Sequence, residues 1–345
     1  MSSDLLLVAT QKGPTLPTSF LNSSAPISLD LTSSFNYVNG LWIVGESNLG
    51  KLYTSSDGVN FSEVSTGMPV PTSPQLLTIT SIRFLNGVYF ATAYFTNYPT
   101  TSMDGYIIRS TDGSSWSVVL HSHLSGGNDS DIRDIAFGSG IFIAPGEGEV
   151  SGVFNKSSDG INWTQSNINP RLKKIIYANG KFVGLSRESS DVVTSVSGET
   201  PVTTSTISGT TYDIAYDAKN GVYVIAGQDN NNYPTIFYSY DLVSWSSIVI
   251  SSMYGYTSTG FFNSISAEDG VYGAAGVVTF ASPFPITTPF SMAMFSFDVT
   301  SWNAPFTVLG SGTISNAFIA RDENFKWRFL TNSNVSGQNE TILNY

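Results

Sequence analysis

The stretch Ser157-Ser158-Asp159-Gly160-Ile161-Asn162-Trp163 decides the fold of this chain, because the same pattern returns along its length. Each copy has a Ser, then an Asp, commonly a Gly, and an aromatic residue early in the segment that follows. The copies are centred on Asp57, Asp112, Asp159, Asp241 and Asp298, and the last two lack the Gly. The sequence therefore predicts a repeat protein.

The residue types in this pattern suit a tight chain reversal. An Asp carboxylate at the start of a turn accepts hydrogen bonds from backbone N–H groups just ahead of it, and the Ser hydroxyl adds a further contact. Gly takes the position with positive φ. The aromatic residue then buries a large apolar area early in the returning strand. Each copy is predicted to be a hairpin turn with its own packing anchor.

The pattern S-x-D-G-x-x-W resembles the Asp-box, or BNR repeat, of the sialidase-like β-propellers. Three copies match it fully or with Phe for Trp, as in Phe61 of the first copy. In that family the box is a structural turn away from the active centre. The resemblance therefore implies a propeller architecture and gives the five box aspartates a structural role.

A second signal precedes each box. Two short apolar segments flank a turn in Asn39-Gly40, Asn86-Gly87, Ser139-Gly140, Asn179-Gly180, Asn220-Gly221 and Asp269-Gly270. Asn-Gly between apolar segments is a strong hairpin signal. Each repeat is thus predicted to hold strand A, a tight turn, strand B, a variable loop, strand C, the box turn and strand D. Four antiparallel strands every 40–55 residues or so is the spacing of propeller blades.

We predict a single all-β domain over residues 1–345, a seven-bladed β-propeller of four-stranded antiparallel blades. The seventh unit has strands near Ile314–Ala320, Trp327–Thr331 and Glu340–Tyr345, and its fourth strand is missing. We expect Leu5–Ala9 to supply that strand, so that the N-terminal strand joins the last blade and closes the ring. A ring of six blades is the alternative.

Composition narrows the function. Only 12% of the residues are charged and the formal net charge is −11. Such a surface repels phosphate groups, so nucleic-acid binding and anionic membranes are disfavoured. The chain has no cysteine, which excludes disulfides, thiolate metal sites and cysteine nucleophiles. We expect no cofactor, no membrane insertion and synthesis in a cytoplasm without a signal peptide.

Function is expected on one face of the disc. The A–B turns and box turns emerge together on what we call the turn face, and the B–C and D–A connections emerge on the opposite, loop face. Rigid scaffolds commonly carry function on variable loops. Polar and aromatic loop residues suit glycans and receptor surfaces. The candidate ligand-binding residues are Tyr98, Asp104, Glu147, Arg187, Asp229, Tyr233, Tyr254 and Tyr256.

Other site chemistries have weaker support in the sequence. His121, His123, Asp129 and Asp131 could offer metal ligands, but they lack the spacing of a cation cage. Glu147 and Glu149 could pair as acid and base, while solvated loop carboxylates are the simpler interpretation. The sialidase chemistry needs converging arginines, and no Arg precedes Arg83. We predict no catalytic residues.

The sequence is typical of a non-enzymatic virion surface protein, a spike or tail component that finishes outside the cell. Its expected partners are a host-surface receptor, a glycan in preference to a protein, and other virion proteins. Oligomerisation is left open. Two alternatives are a glycoside hydrolase whose site follows no known pattern and a structural interaction module.

Overall fold

The structure is a computed structural model that describes residues 21–24, 32–97, 103–123, 130–147, 151–250, 257–281, 290–302, 306–308, 314–323, 327–333 and 341–344. Every sheet within these ranges has four strands and antiparallel pairing, and there are seven such sheets. The predicted all-β propeller of four-stranded blades is confirmed. No helix in the described part of the chain is long and apolar enough to span a membrane.

Six blades use consecutive strands. Blade one has β2 (Thr32–Val38), β3 (Leu41–Glu46), β4 (Leu52–Ser55) and β5 (Ser62–Val64). Blade two has β6 (Leu76–Leu85), β7 (Val88–Thr96), β8 (Met103–Ser110) and β9 (Ser117–Ser122). Blade three has β10 (Ala136–Gly138), β11 (Ile141–Glu147), β12 (Gly152–Ser157) and β13 (Thr164–Ile168).

The second half of the ring repeats this order. Blade four has β14 (Leu172–Ala178), β15 (Lys181–Ser186), β16 (Asp191–Ser195) and β17 (Val202–Thr206). Blade five has β18 (Thr210–Asp217), β19 (Val222–Gln228), β20 (Pro234–Ser239) and β21 (Ser246–Val249). Blade six has β22 (Thr257–Glu268), β23 (Val271–Ala281), β24 (Phe290–Ser296) and β25 (Phe306–Val308).

Blade seven joins both ends of the chain. Its sheet runs in the order β26 (Ile314–Arg321), β27 (Trp327–Ser333), β28 (Thr341–Asn344) and β1 (Leu21–Ser24). Closure by an N-terminal strand was predicted, but with the wrong strand, because Leu21–Ser24 and not Leu5–Ala9 pairs with β28. Seven residues separate β1 from β2, whereas 22 would separate Leu5–Ala9 from β2, and most connections between strands are short. Leu5–Ala9 lies outside the described residues.

The A–B turns take the predicted hairpin form. Asn39 and Gly40 have φ of 46° and 83°, and Asn179 and Gly180 have 49° and 79°. Two successive residues with positive φ form the type I′ turn, whose twist matches that of the strands. The first strands of neighbouring blades contact one another around the ring, including β2 with β26. Strand A is therefore the inner strand of each blade.

The box turns have the predicted hydrogen bonds. In the third box, Asp159 Oδ1 accepts from the backbone N–H of Ile161 and of Asn162, both at 2.8 Å. Ser157 Oγ accepts from Gly160 N at 2.8 Å and donates to Asp159 Oδ1 at 2.9 Å. The same bonds recur around Asp57, Asp112 and Asp241. At Asp298 the carboxylate accepts from Thr300 N at 3.0 Å.

Blade four lacks the box Asp, and Glu199 takes over its task. Glu199 Oε1 accepts from Val196 N at 2.6 Å, and Oε2 accepts from Ser197 N at 2.8 Å. Ser195 Oγ accepts from Gly198 N at 3.0 Å, as the Ser does in the full boxes. The longer Glu side chain reaches back to N–H groups that precede it in the turn, whereas a box Asp accepts from N–H groups that follow it. The turn is thus preserved although the motif is degenerate.

The inner strands share a β-bulge that the sequence did not reveal. The register shifts at one residue in each of six A strands, at Ser33, Thr80, Lys173, Tyr212, Asn263 and Ser315. At two of these bulges the side chain donates a hydrogen bond to the backbone of the next blade. Ser33 Oγ donates to Ile79 O at 2.5 Å, and Thr80 Oγ1 donates to Ile132 O at 2.8 Å. The bulges therefore serve as joints between blades.

The core lies between adjacent sheets. Apolar clusters join neighbouring blades, and Trp42, Trp327, Tyr223 and Tyr272 are among the largest fully buried side chains. The box aromatic residues belong to these clusters. Trp116 and Trp302 are buried, and each donates its indole N–H to a carbonyl oxygen of its own turn. This packing holds the strands in place, and the connections of the loop face extend from their ends.

Candidate binding face

The described candidate residues lie at strand ends on the loop face. Asp104 opens β8, Glu147 ends β11, Arg187 follows β15, and Asp229 follows β19. Tyr98, Asp129, Glu149, Tyr254 and Tyr256 lie outside the described residues. The others come from four successive blades, two to five. They form three separate groups and not one site.

The first group is a cluster of carboxylates and arginines between blades three and four. Glu147 N donates to Asp131 O at 3.0 Å, which sets these two side chains beside each other. Arg187 lies against both carboxylates, with Nη1 at 3.3 Å from Asp131 Oδ2 and in an ion pair with Glu147. Arg133 forms a second ion pair with Asp131. The cluster thus brings together Glu147 and Arg187, two residues that the sequence had suggested separately.

Burial makes this cluster rigid. The side chain of Asp131 is fully buried and that of Glu147 nearly so, while the two arginines stay a quarter to a third exposed. Arg133 also lies over the ring of Tyr94, with its guanidinium carbon 4.9 Å from the ring centroid. Buried carboxylates that lose such partners are costly. The arginines therefore hold the inner edge of the loop face together and show their outer surfaces to solvent.

The second group is built around Asp104. His123 Nδ1 lies 2.6 Å from Asp104 Oδ1, and His121 Nε2 lies 3.2 Å from Asp104 Oδ2. The ring of Tyr106 stacks on His121 with centroids 4.5 Å apart. Burial and the nearby charge of Asp104 raise the pKa of Tyr106 to about 12. Both histidines are half-exposed, whereas the Asp104 carboxylate between them is buried. Two imidazole rings are therefore held by one buried carboxylate at the edge of blade two.

The weak metal candidates are not gathered into one site. Asp131 faces Arg133 and Arg187 in the first group, whereas His121 and His123 face Asp104 in the second. Within the described ranges, no three His, Asp or Glu residues are placed to hold a metal ion. Register explains the grouping that the sequence missed, because β8 and β9 pair Tyr106 with His121.

The third group is the loop after β19. Asp229 Oδ1 accepts from the backbone N–H of Asn231 and of Tyr233, both at 2.9 Å, and Asp229 N donates to Tyr233 O at 3.0 Å. Asp229 therefore shapes the loop, and Tyr233 is half-buried beside it. The loop exposes Asn230 and Asn231, which are not among the ligand-binding residues proposed from the sequence.

A groove opens beside this loop, along the seam between the outer strands of blades four and five. Its volume is about 440 Å³. It is lined by Thr206, Ile207, Ser208, Asp229, Asn230, Asn231, Phe237, Val243, Trp245, Ser247 and Val249. Asn230 Nδ2 donates to Ser208 Oγ at 2.9 Å across the seam, and Trp245 Nε1 donates to Ser205 Oγ at 2.8 Å. We call this feature the seam groove.

The propeller axis carries charged pairs that sequence reasoning did not place. Arg83 Nη2 lies 3.0 Å from Asp134 Oδ2, and Lys174 Nζ lies 3.4 Å from Asp213 Oδ1. Burial opposes the charged form of Asp134, yet Arg83, Lys174 and hydrogen bonds keep its pKa below the ordinary value. Two of these four residues, Lys174 and Asp213, directly follow the bulge in their inner strands. No signal in the sequence marks that shared position, because the bulges themselves could not be predicted.

Cavities along the axis are small and mixed in character. One of about 350 Å³ is lined by Arg83, Asp213, Tyr177, Tyr216 and apolar residues of the inner strands. A smaller one of about 60 Å³ lies against the same Arg83 and Asp213. Burial lowers the pKa of Lys173, at the blade four bulge, to about 8. Of the described carboxylates, Asp213 alone lines these two cavities.

Comparison with solved structures supports the fold. The chain is similar to YCF48 bound to a D1 peptide, at 14% identity and a TM-score of 0.60 over 96% of this chain and 98% of that one. It is also similar to the β-propeller domain of the Trilobed protease from Pyrococcus furiosus, at 10% identity and a TM-score of 0.54 over 91% and 95% of the two chains. Both likenesses show the propeller fold alone.

A likeness to Trypanosoma rangeli sialidase has 10% identity and a TM-score of 0.43, and it covers 95% of this chain and 60% of that one. A score at that level carries no weight for function. No family model matches the chain, and no curated protein matches it in sequence. The Asp-box resemblance therefore rests on the five turns and their hydrogen bonds.

Proposed function

We propose that this chain is a non-enzymatic virion surface protein, part of a spike or tail, that binds a host-cell receptor through its loop face. A glycan is the preferred receptor. The protein is made in the cytoplasm and reaches the outside of the cell on the particle. The proposal extends the sequence analysis, and the arrangement of the loop face supports it.

One observation carries the proposal. Charged, amide and aromatic side chains from four successive blades stand on the loop face, on strand ends fixed by packing, whereas the turn face repeats one structural turn. A rigid scaffold that varies on one side only is the arrangement of binding proteins. YCF48, which shares the fold, was solved with a bound peptide, so a propeller of this shape can present a recognition surface.

Two features favour binding over catalysis. Retaining and inverting glycosidases use a pair of carboxyl groups across the substrate. The axial cavities are lined by one described carboxylate, Asp213, whose oxygens face Lys174 and the backbone N–H of Ile265. Asp131 and Glu147 do lie together, but Arg187 contacts both of them. Among the described residues, neither place offers a carboxylate pair without a cationic partner.

Binding of labelled protein to intact candidate host cells tests the proposal, with and without enzymatic removal of surface glycans. We expect saturable binding that is lost after glycan removal and reduced at least tenfold by Tyr98→Ala combined with Tyr254→Ala and Tyr256→Ala. The control is Ile161→Ala, because Ile161 is 50% exposed on the turn face and belongs to neither proposed contact surface. Binding that survives glycan removal points to a protein receptor. Equal loss in the control variant would contradict use of the loop face.

A second candidate function is that of a structural module docked into a larger assembly. Exposed apolar side chains on the turn face favour it. Val196, Tyr240 and Phe297 occupy the second box position in blades four to six, and they are 62%, 60% and 46% exposed. Blades one to three have Ser56, Thr111 and Ser158 there. Exposed apolar side chains at equivalent positions suit contact with a partner. Loss of the Val196→Ser, Tyr240→Ser, Phe297→Ser variant from released particles would support docking through this side.

A further inference from the structure

We propose that the seam groove binds an uncharged oligosaccharide and excludes acidic sugars. This inference rests on the proposed glycan-binding function and names the ligand class of one site within it. It concerns residues between blades four and five, most of which the sequence did not select.

The groove combines the two chemistries that sugar rings need. Its walls offer the amides of Asn230 and Asn231 and the hydroxyls of Ser208 and Ser247, which can match sugar hydroxyls. Trp245 is half-buried, and its indole N–H is already bonded to Ser205 Oγ and Leu242 O. What remains of that side chain for a ligand is apolar ring surface. Aromatic surfaces with fixed polar groups nearby are typical of small-ligand sites.

The loop wall of the groove is held in position. Asp229 Oδ1 is occupied by two backbone N–H groups, and Gly260 N of blade six donates to Asn232 O at 2.8 Å. Asn230 is tied to Ser208 of the preceding D–A connection. A wall that is already ordered loses little conformational entropy on binding. The volume of about 440 Å³ is within the range of small-molecule sites.

Charge determines which sugars fit. Among the residues that the structure describes, no Lys or Arg lines the groove, and Asp229 is the one ionisable residue there. An acidic sugar would bring its carboxylate toward Asp229 with no guanidinium or ammonium group to offset the repulsion. The net charge of −11 adds to this repulsion. The arginines that could hold an anion lie in the cluster of blades three and four, away from this groove.

Calorimetric titration with defined sugars tests the inference. The probes are lactose, N-acetyllactosamine and chitotriose as uncharged sugars, and 3′-sialyllactose as the acidic form of one of them. We expect at least one uncharged probe to bind, Asn230→Ala to weaken it at least fivefold, and sialylation of lactose to abolish binding. Asn167→Ala is the matched control, because Asn167 is an exposed residue on the outer strand of blade three.

A variant that gains binding provides a second test, because a misfolded protein cannot produce that result. Ser247→Arg places a guanidinium group in the groove and should admit 3′-sialyllactose, whereas Asn167→Arg adds the same charge elsewhere and should not. Tighter binding of the sialylated probe by the natural sequence would overturn the inference while leaving glycan binding in place. Binding of uncharged probes that Asn230→Ala leaves intact would overturn the choice of groove. Binding of no sugar would overturn both this inference and the glycan-receptor proposal.

Discussion

At the scale of single residues, the box carboxylates are held in their charged form by the backbone. Hydrogen bonds from the N–H groups of Asn162 and Ile161 lower the pKa of Asp159, and equivalent bonds do the same for Asp57, Asp112 and Asp241. The backbone N–H of Val196 and the N–H and hydroxyl of Ser197 lower the pKa of Glu199 from 4.5 to about 2. A pKa that is lower in the folded chain means that the charged form stabilises the fold.

The sign of the pH dependence follows. The stabilisation from Glu199 is fully present above its unfolded pKa and is lost as the pH falls toward about 2. We predict that Glu199→Gln lowers the free energy of unfolding at pH 7, and that its difference from the natural sequence shrinks between pH 4.5 and 2. Urea denaturation across that range measures it. Glu63→Gln, which removes only an exposed ion pair with Lys51, should change the free energy of unfolding at pH 7 by less than about 1 kcal/mol. A difference that stays constant down to pH 2 would contradict the role given to Glu199.

Arg187 is predicted to be the residue on which the carboxylate cluster depends most. Removal of Arg187 leaves the buried Glu147 without this ion-pair partner. It also leaves Asp131 with one arginine partner in place of two. We expect Arg187→Met to lower the free energy of unfolding by about 3 kcal/mol, the lower end for a broken buried pair. Adding Glu147→Gln should recover part of that loss, because the uncompensated charge disappears. Chemical denaturation of the single and double variants measures both effects, and additive losses would argue against the pairing.

Single residues were the level at which sequence reasoning was least complete. Glu147 and Arg187 were each selected for their place on loops, but their contact joins two blades and has no local signature. The pairing of Asp104 with His121 and His123 depends on the register between β8 and β9, which alternation alone does not fix. Glu199 lies in a turn that lacks the box Asp, and its role appears only once the backbone N–H groups are placed.

At the scale of elements, the bulged inner strands matter more than their apolar pattern suggests. Hairpins and box turns follow from short motifs and were predicted with nearly correct bounds. The bulges were not, since a register shift of one residue leaves no mark in the composition of a strand. Their common position lets hydroxyls at Ser33 and Thr80 reach a carbonyl oxygen of the next blade.

Thr80 offers the test of these joints. Its Oγ1 donates to Ile132 O and also contacts Thr92 Oγ1 at 2.8 Å. We predict that Thr80→Val, which keeps the shape and removes the donor, lowers the free energy of unfolding by about 1 kcal/mol. Thr80→Ser, which keeps the hydroxyl donor, should retain most of the free energy of unfolding that Thr80→Val loses. Thr78→Val on the same strand is the control. If both valine variants behave alike in guanidinium denaturation, the hydroxyl is not a joint.

At the scale of the whole molecule, ring closure rests on the short pairing of β1 with β28. The register sets Ser23 opposite Ile342. Because the chain has no cysteine, Ser23→Cys with Ile342→Cys can form one disulfide only. We predict that the oxidised variant is stabilised by about 2 kcal/mol or more over its reduced form, since the bond closes a very long loop. The pair Leu7→Cys with Ile342→Cys should show no such stabilisation on oxidation. Stabilisation of that pair would instead support Leu5–Ala9 as the closing strand.

The closure also has a consequence for synthesis. A ribosome delivers Leu21–Ser24 before the six blades of consecutive strands and Thr341–Asn344 after them. The first six blades can pack one upon another as they emerge, but the seventh sheet stays incomplete until β28 is free. The nascent chain must therefore keep an unpaired strand edge while all six of those blades are made, and pairing between such distant segments is slow. Edges of this kind attract other chains. We expect a high concentration of incomplete chains to favour aggregation in the interval before the ring closes.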